Sequence, residues 1–341
     1  MLGKYVTNNG KMTFLLRGNG GNLVGSEWIA AEGVIVDETP ADLELFLRGF
    51  GHAENPGGWS IRFHSPGGSL ESGIRLGELI RQLKLNTEIG RTEPDEYGHW
   101  KRAAGYCASA CAFAFIGGLW REASGGELGL HQFYNQISLQ NPTAKLFTSL
   151  DVSSHQIISA TLIDYAFRMG VDPRFISIAA STPPLKMRFL DEREVTELRV
   201  RWFPKEFEPW SIEPSGAGVI AITHSRDRTR TATFFYLADG CPRIKIEDLD
   251  SSVDAKWLAD AYEAVDEVIA FDLRFPKTAL IASYSRGKLT LEFRLDGQSV
   301  ARARWCSIGV DGPRYMVGAL SYALPKDGAE IAIEVAAKNP L

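Results

Sequence analysis

The chain of 341 residues has no excess of basic charge, no long apolar run and few cysteines, and each shortage removes a class of function. Its 37 Lys and Arg face 42 Asp and Glu, for a formal net charge of −5. With no basic stripe to offset phosphates, a nucleic-acid partner is not expected. No segment approaches the roughly 18 consecutive apolar residues of a membrane helix. Residues 1–8 hold one lysine with no apolar stretch behind it, so no signal peptide is visible. The expectation is therefore a cytoplasmic protein, or a periplasmic one had an export signal been removed. Of the four cysteines, Cys107 and Cys111 are close together while Cys241 and Cys306 lie in the second half; this even count permits disulfides without requiring them. Internal repeats and low-complexity tracts are also missing.

The length predicts two domains, and 45% hydrophobic with 23% charged residues is the balance of a soluble globular protein. Residues 28–36 are β-branched and apolar. Thr39 and Pro40 then supply an N-cap and a first helical position, predicting a helix through Phe50. A second short apolar run, 59–63, completes a βαβ unit. It leads directly into Ser65-Pro66-Gly67-Gly68-Ser69 and then into apolar positions at helical spacing over 70–83. Residues 85–90 read as a strand, 91–102 as an exposed loop, and 105–118 as a buried segment of small and apolar residues. A short apolar run at 128–133 carries a histidine. Residues 153–169 repeat apolar positions at helical spacing and end at Gly170, and residues 181–184 break the chain before a charged helix over 191–199.

The expected domains are an α/β unit over 1–201, a proline- and aromatic-rich linker or docking segment over 202–215, and an all-β, sandwich-like unit over 216–341. Trp202 and Trp210 bracket the junction and are expected to cement it. The β reading rests on runs at 219–223, 231–237, 243–246, 268–273, 280–284, 288–294, 300–305, 315–322 and 330–335, with one helix at 254–265.

A strand that ends in two glycines and opens into a helix leaves main-chain N–H groups free to hold an anion or an oxyanion. Downstream stand Ser109, within Cys107-Ala108-Ser109-Ala110-Cys111, and His131, within Leu128-Gly129-Leu130-His131-Gln132. A serine inside a small-residue helix is usually structural, bonded back to a carbonyl one turn earlier. A nucleophile needs a base and oxyanion donors, and the chain supplies a Gly-Gly turn, a serine and a histidine in that order. His64, beside the turn, is read as a substrate contact or a strand-end packing residue; His52, His99 and His155 are read as loop or solvated residues.

In order and spacing these three segments resemble the motifs of the Clp protease proteolytic subunit, a member of the ClpP/crotonase fold. The resemblance covers residues 28–200. It is closer still to divergent ClpP-like bacterial proteins held to be periplasmic, which look similar around Cys-Ala-Ser-Ala-Cys and Ser-Thr-Pro-Pro. It implies an α/β ClpP/crotonase-like domain in which Ser109 is the nucleophile and His131 the general base. Gly68 and Ala110 would form the oxyanion hole, with Gly67 in support. It also implies a peptide or protein substrate and a homo-oligomer, an assembly that the C-terminal domain could replace or block. That domain, outside the resemblance, is expected to serve recognition or assembly, engaging an unfoldase or other protein partner.

Where the family places its aspartate, residues 179–184 contain no acid. Asp172 or Asp191 could orient the His131 ring by charge, and Ser181 or Thr182 by hydroxyl. The expectation is a Ser-His dyad or an atypical triad in an ATP-independent or partner-dependent serine peptidase, with no cofactor and no metal. A non-catalytic binding protein on the same scaffold and a crotonase-like acyl-CoA enzyme are the alternatives. Cys107 and Cys111, four apart, read as small buried hydrophobes; a metal site with His131 is their rival role, and a disulfide across one helical turn would be strained.

Overall fold

The first strands lie where β-branched and apolar residues cluster, and they form two small sheets rather than one. The computed structural model describes residues 10–21, 26–49, 58–133, 149–249, 267–270, 273–276, 279–296, 307–310, 320–326 and 328–341. The chain divides into two units, Met1–Phe203 and Pro204–Leu341.

In the first unit the elements run β1 (Thr13–Gly18), β2 (Glu27–Glu32), α1 (Thr39–Gly49), β3 (Ser60–His64), α2 (Leu70–Gln82), β4 (Asn86–Ile89), β5 (Arg91–Pro94), β6 (Trp100–Ala103), β7 (Cys107–Ala108), α3 (Ala110–Phe115), β8 (Arg121–Glu122), β9 (Leu128–Leu130), α4 (Ser149–Arg168), α5 (Arg174–Ser181), β10 (Arg188–Phe189) and α6 (Glu192–Glu197). One sheet has the order β1-β2-β3-β4-β8, parallel except for β1; the other has the order β10-β9-β7. A bridge between Ser65 and Cys107 joins the end of β3 to β7.

Strand β3 shows why the sheet has two different faces. Ile61 and Phe63 point into a core shared with Leu43 and Leu47 of α1 and Leu76 and Ile80 of α2. Arg62 and His64, on the alternate positions, face the other way. There the Arg62 guanidinium lies 3.8 Å from the Trp28 ring and 3.1 Å from Glu88. Over this polar layer, 91–103 fold as the β5–β6 hairpin, where a loop was expected. Its turn is held by Asp95, whose carboxylate accepts from Tyr97 N and His99 N at 2.9 and 2.8 Å. Thr92 anchors it by accepting from Trp28 Nε1 at 3.0 Å and donating its N–H to Glu32 at 2.8 Å.

Helix α3 packs on α2 without intervening side chains. A Cβ at Gly73 would overlap the Ala110 carbonyl, and one at Gly77 would overlap the Tyr165 hydroxyl and meet the Phe113 carbonyl. The Tyr165 hydroxyl itself donates to Phe113 O at 2.7 Å. At the far end of α3 lies Arg121, 1% exposed and among the largest fully buried side chains. It donates to the carbonyls of Ile116, Gly118, Met169, Arg199 and Val200 at 2.8–3.3 Å. Arg81 donates to Ile116, Gly117, Gly118 and Met169. Burial pulls the Arg121 guanidinium down to about 9, so it is still a cation at neutral pH.

The second unit contains β11 (Ser211–Ser215), β12 (Gly218–His224), β13 (Arg230–Tyr236), β14 (Pro242–Asp248), β15 (Glu267–Ala270), β16 (Leu273–Pro276), β17 (Leu280–Ser285), β18 (Lys288–Arg294), β19 (Ser307–Val310), β20 (Leu320–Ala323) and α7 (Ala329–Lys338). Its main sheet is antiparallel in the order β11-β12-β13-β14-β18-β17, with β15-β16 and β19-β20 as separate pairs. The expected sandwich is corrected in one respect: α7 packs against this sheet, in the position assigned to a facing strand at 330–335. Ala329, Ala332, Ile333 and Ala336 recur at helical spacing and are buried, so a period of three to four wins over the short alternation. The linker is corrected too, because β11 is an edge strand and Phe207 is part of the core. Trp210 donates to Pro325 O within the second unit, and the Trp202 main chain pairs with Arg121 in the first. The expected strand at 300–305 and helix at 254–265 lie outside the described residues.

Replacing Arg121 by Met, while roughly keeping side-chain length, removes five hydrogen bonds to carbonyls, of which those of Ile116, Gly118 and Met169 keep Arg81 as a donor and those of Arg199 and Val200 lose their guanidinium partner. Urea unfolding is expected to show a loss of more than about 3 kcal/mol, whereas a loss below about 1 kcal/mol would contradict a structural role for this residue.

Candidate functional site

The Gly67–Gly68 turn is gripped by the main chain of Ile35. Ile35 N donates to Gly67 O at 2.8 Å, and Ser69 N donates to Ile35 O at 2.9 Å. Because this bridge uses the groups flanking Gly68, the N–H of Gly68 itself points to the opposite side. Both glycines have positive φ, +104° and +141°, and a Cβ at Gly68 would overlap the Ile35 carbonyl. The Gly67 N–H is already committed to Ser65 Oγ at 3.1 Å. Of the two glycine N–H groups, then, Gly68's is the one free to face a ligand. Ser69 caps α2, accepting from Ser72 N.

Ser109 is not in the middle of a helix. Cys107 and Ala108 form β7, α3 starts at Ala110, and Ser109 is the corner between them, with φ 56° and ψ −124°. The segment 105–118 is thus a strand, an elbow and a helix, so the back-bonded helical serine is excluded. A non-glycine residue rarely adopts such a φ, and a serine held there at a strand-to-helix turn presents its hydroxyl outward. Ser109 N donates to Gly129 O at 2.9 Å. The Ala110 N–H lies in the first turn of α3, where no intrahelical acceptor exists. A Cβ added to Gly67 would stand 2.7 Å from Ser109 Cβ and 3.0 Å from Ala110 N, so the glycine turn and the elbow touch.

His131 follows directly on β9, the strand whose Gly129 carbonyl holds Ser109. Its Nδ1 lies 2.7 Å from the Gln132 carbonyl oxygen. A carbonyl can only accept, so this contact puts the proton on Nδ1 and leaves Nε2 as the acceptor. Burial holds the imidazole below its ordinary value, opposed by that hydrogen bond. The next residue is fixed to the end of α5: Gln132 N donates to Thr182 O at 2.9 Å and Gln132 Nε2 to Ala180 O at 2.5 Å. Ser109, His131 and Gly68 line one cavity of about 630 Å³, along with Pro66 and Ser69 and the apolar side chains of Leu70, Phe113, Leu162 and Ile176.

The four candidates for a third member are not brought to the ring. Asp172 accepts from Arg174 N and Nη2 at 2.8 and 3.0 Å. Asp191 caps α6, accepting from Glu194 N at 2.8 Å. The hydroxyls of Ser181 and Thr182 both donate to Ile178 O, at 3.1 and 2.9 Å. All four serve helix ends, where short polar side chains satisfy main-chain groups. The group at His131 Nδ1 that the residue types did not reveal is a main-chain carbonyl, which every residue carries.

Cys107 and Cys111 form a disulfide. The expectation of two unpaired buried cysteines assumed that both lay on one helix. Cys107 is on β7 and Cys111 on α3, and the elbow brings their Cα atoms to 5.2 Å. With their thiolates consumed, the rival metal role fails; among the described residues no cluster of His, Cys, Asp and Glu could hold a metal ion. No helix among the described residues is long and apolar enough to cross a membrane.

His64 packs, and it is not part of the lining of the cavity that Ser109 and His131 share. It is 5% exposed, stacks edge-on against Tyr106 with ring centroids 4.7 Å apart, and accepts from Tyr106 N at Nδ1. His99 is exposed in the hairpin turn; His52 and the His155 side chain lie outside the described residues. Burial, helped by Arg91, pushes His64 down from 6.5 to about 4. The unfolded chain therefore binds the extra proton between these two values, and stability falls as pH drops through that window, by about 3 kcal/mol in all. In urea titrations at pH 7 and pH 4, His64→Asn, which keeps an acceptor without the titration, is expected to flatten this loss. An unchanged pH slope would contradict the assignment. No protein-family model matches the chain, and no curated protein matches it at a significant level.

Proposed function

We propose that the first unit is a serine hydrolase of the ClpP/crotonase type, acting on a peptide or protein through a Ser-His pair whose orienting group is a main-chain carbonyl. The observation that carries this reading is the Ser109 elbow, held at positive φ against the Gly67–Gly68 turn and sharing a cavity with His131.

The chemistry follows from the donors and acceptors. His131 Nε2 takes the proton of Ser109 Oγ as that oxygen attacks the substrate carbonyl, while Nδ1–H stays on the Gln132 carbonyl and steadies the imidazolium. Negative charge developing on the carbonyl oxygen is received by Gly68 N–H and by Ala110 N–H at the start of α3. The imidazolium then gives its proton to the leaving group, and water reverses the same steps to free the acyl product. A carbonyl in place of a carboxylate orients the ring but adds no charge to stabilise the cation, which fits a slow or specialised enzyme. The Cys107–Cys111 bridge favours folding in an oxidising compartment over the cytoplasm.

Fluorophosphonate labelling tests the reading. The native protein is expected to label at Ser109, Ser109→Ala to lose the label, and His131→Ala to label on the order of 10²-fold more slowly or worse. Because burial depresses His131, the acid limb of the labelling rate is expected below pH 6.5. Folded protein that takes no label would overturn the proposal.

A further inference from the structure

We infer that the Cys107–Cys111 disulfide is a positioning element for the nucleophile, so that the site is competent only in the form folded with the bridge closed. This rests on the role proposed for Ser109.

The bridge spans the elbow itself. Cys107 lies two residues before Ser109 on β7, and Cys111 lies two residues after it in the first turn of α3. The covalent ring so formed has Ser109 at its apex. On either side the chain is anchored independently. Cys107 N donates to Glu127 O and Ala108 N to Ser65 O, while α3 is seated on α2 through Gly73 and Gly77. These contacts hold the strand and the helix, while the Ser109 main chain itself is held by two hydrogen bonds, its N–H donating to Gly129 O at 2.9 Å and its carbonyl accepting from Ala112 N at 3.0 Å, neither of which closes the corner covalently. An L-residue at φ 56° is drawn back toward negative φ, and a short covalent ring is the constraint that resists the relaxation. Relaxation would swing Oγ away from the cavity and turn Ala110 N–H out of the oxyanion position.

Both cysteines are fully buried, so no reductant reaches the bridge in the closed fold. Its state is set while the chain folds. One cysteine thiolate attacks a sulfur of a disulfide-bearing oxidant, giving a mixed disulfide and one oxidant thiol. The second cysteine attacks the protein sulfur of that mixed disulfide and expels the other oxidant thiol, so the oxidant carries off the two electrons and two protons of the pair. A chain folded under reducing conditions keeps two thiols in nearly the same volume. Its core stays packed and only the elbow is released.

The test compares full-length protein refolded in a glutathione redox buffer with protein refolded in a phosphine reductant, alongside a C107A/C111A double variant. Alkylation in denaturant counts thiols, circular dichroism reports the fold, and the fluorophosphonate labelling rate reports Ser109. The oxidised form is expected to label, and the reduced form to show native circular dichroism while labelling on the order of tenfold or more slowly. The double variant is expected to match the reduced form. Equal labelling rates in the two redox forms would overturn the positioning role and leave the proposed hydrolase intact, as would a reduced wild-type chain that fails to fold, which would make the bridge structural. Thiol counts showing no bridge after oxidative refolding would overturn it as well. Labelling in neither folded form would overturn both readings.

Discussion

The site depends on the contact between the Ile35 main chain and the Gly67–Gly68 turn. Ile35 spends both its N–H and its C=O on this turn, and the approach is so close that no side chain fits at Gly68. Two consequences follow from one geometry. The N–H of Gly68 is directed away from Ile35 and toward the cavity, and Gly67 is pressed against the Ser109 corner. Had the turn been held by side chains, its position would vary with their rotamers; a main-chain bridge leaves it no such freedom. Because Ile35 follows β2 by only a few residues, the turn inherits the rigidity of the parallel sheet.

A second economy lies in β9. Gly129 O fixes the Ser109 main chain, and two residues later the same strand delivers His131. The segment after it is tied to the end of α5 through Gln132. The Ser109 main chain and His131 are thus referred to one short strand instead of to two elements that could drift apart. The absence of an acid near 179–184 is consistent with this arrangement, since the Gln132 carbonyl already occupies Nδ1.

Much of this was legible in the residues, and what was not has identifiable causes. The βαβ unit, the α2 helix and the order of turn, serine and histidine follow from apolar periodicity and from glycine placement, which report backbone constraints directly. The 91–103 hairpin was hidden because its charged residues resemble solvated loop, although they cover the Arg62 layer. Helix α7 was read as strand because short stretches rich in Ala, Ile and Val satisfy both periods until a packing partner selects one. The Cys107–Cys111 pairing was discounted because spacing alone suggested one helix, whereas a single residue at positive φ separates two elements. The group at His131 Nδ1 could not be found among side chains, since it is the Gln132 main-chain carbonyl. Arg121 gave no signal either: nothing in a sequence marks an arginine whose partners are main-chain oxygens.

The buried Arg121 and the half-buried Arg81 at the far end of α3 also bear on electrostatics. Arg81 and Arg121 sit on carbonyls around Ile116 and Gly118, just beyond the helix whose first residue follows Ser109. They neutralise the negative pole of a helix only about 9 Å long, so the positive pole at Ala110 is left uncompensated. A cation about one such helix length behind an anion contributes on the order of 1–2 kcal/mol at an effective dielectric of 20. A protein of net charge −5 thereby keeps a locally positive field where an oxyanion would form, and the share of it due to the fully buried Arg121 is one that added salt would screen poorly.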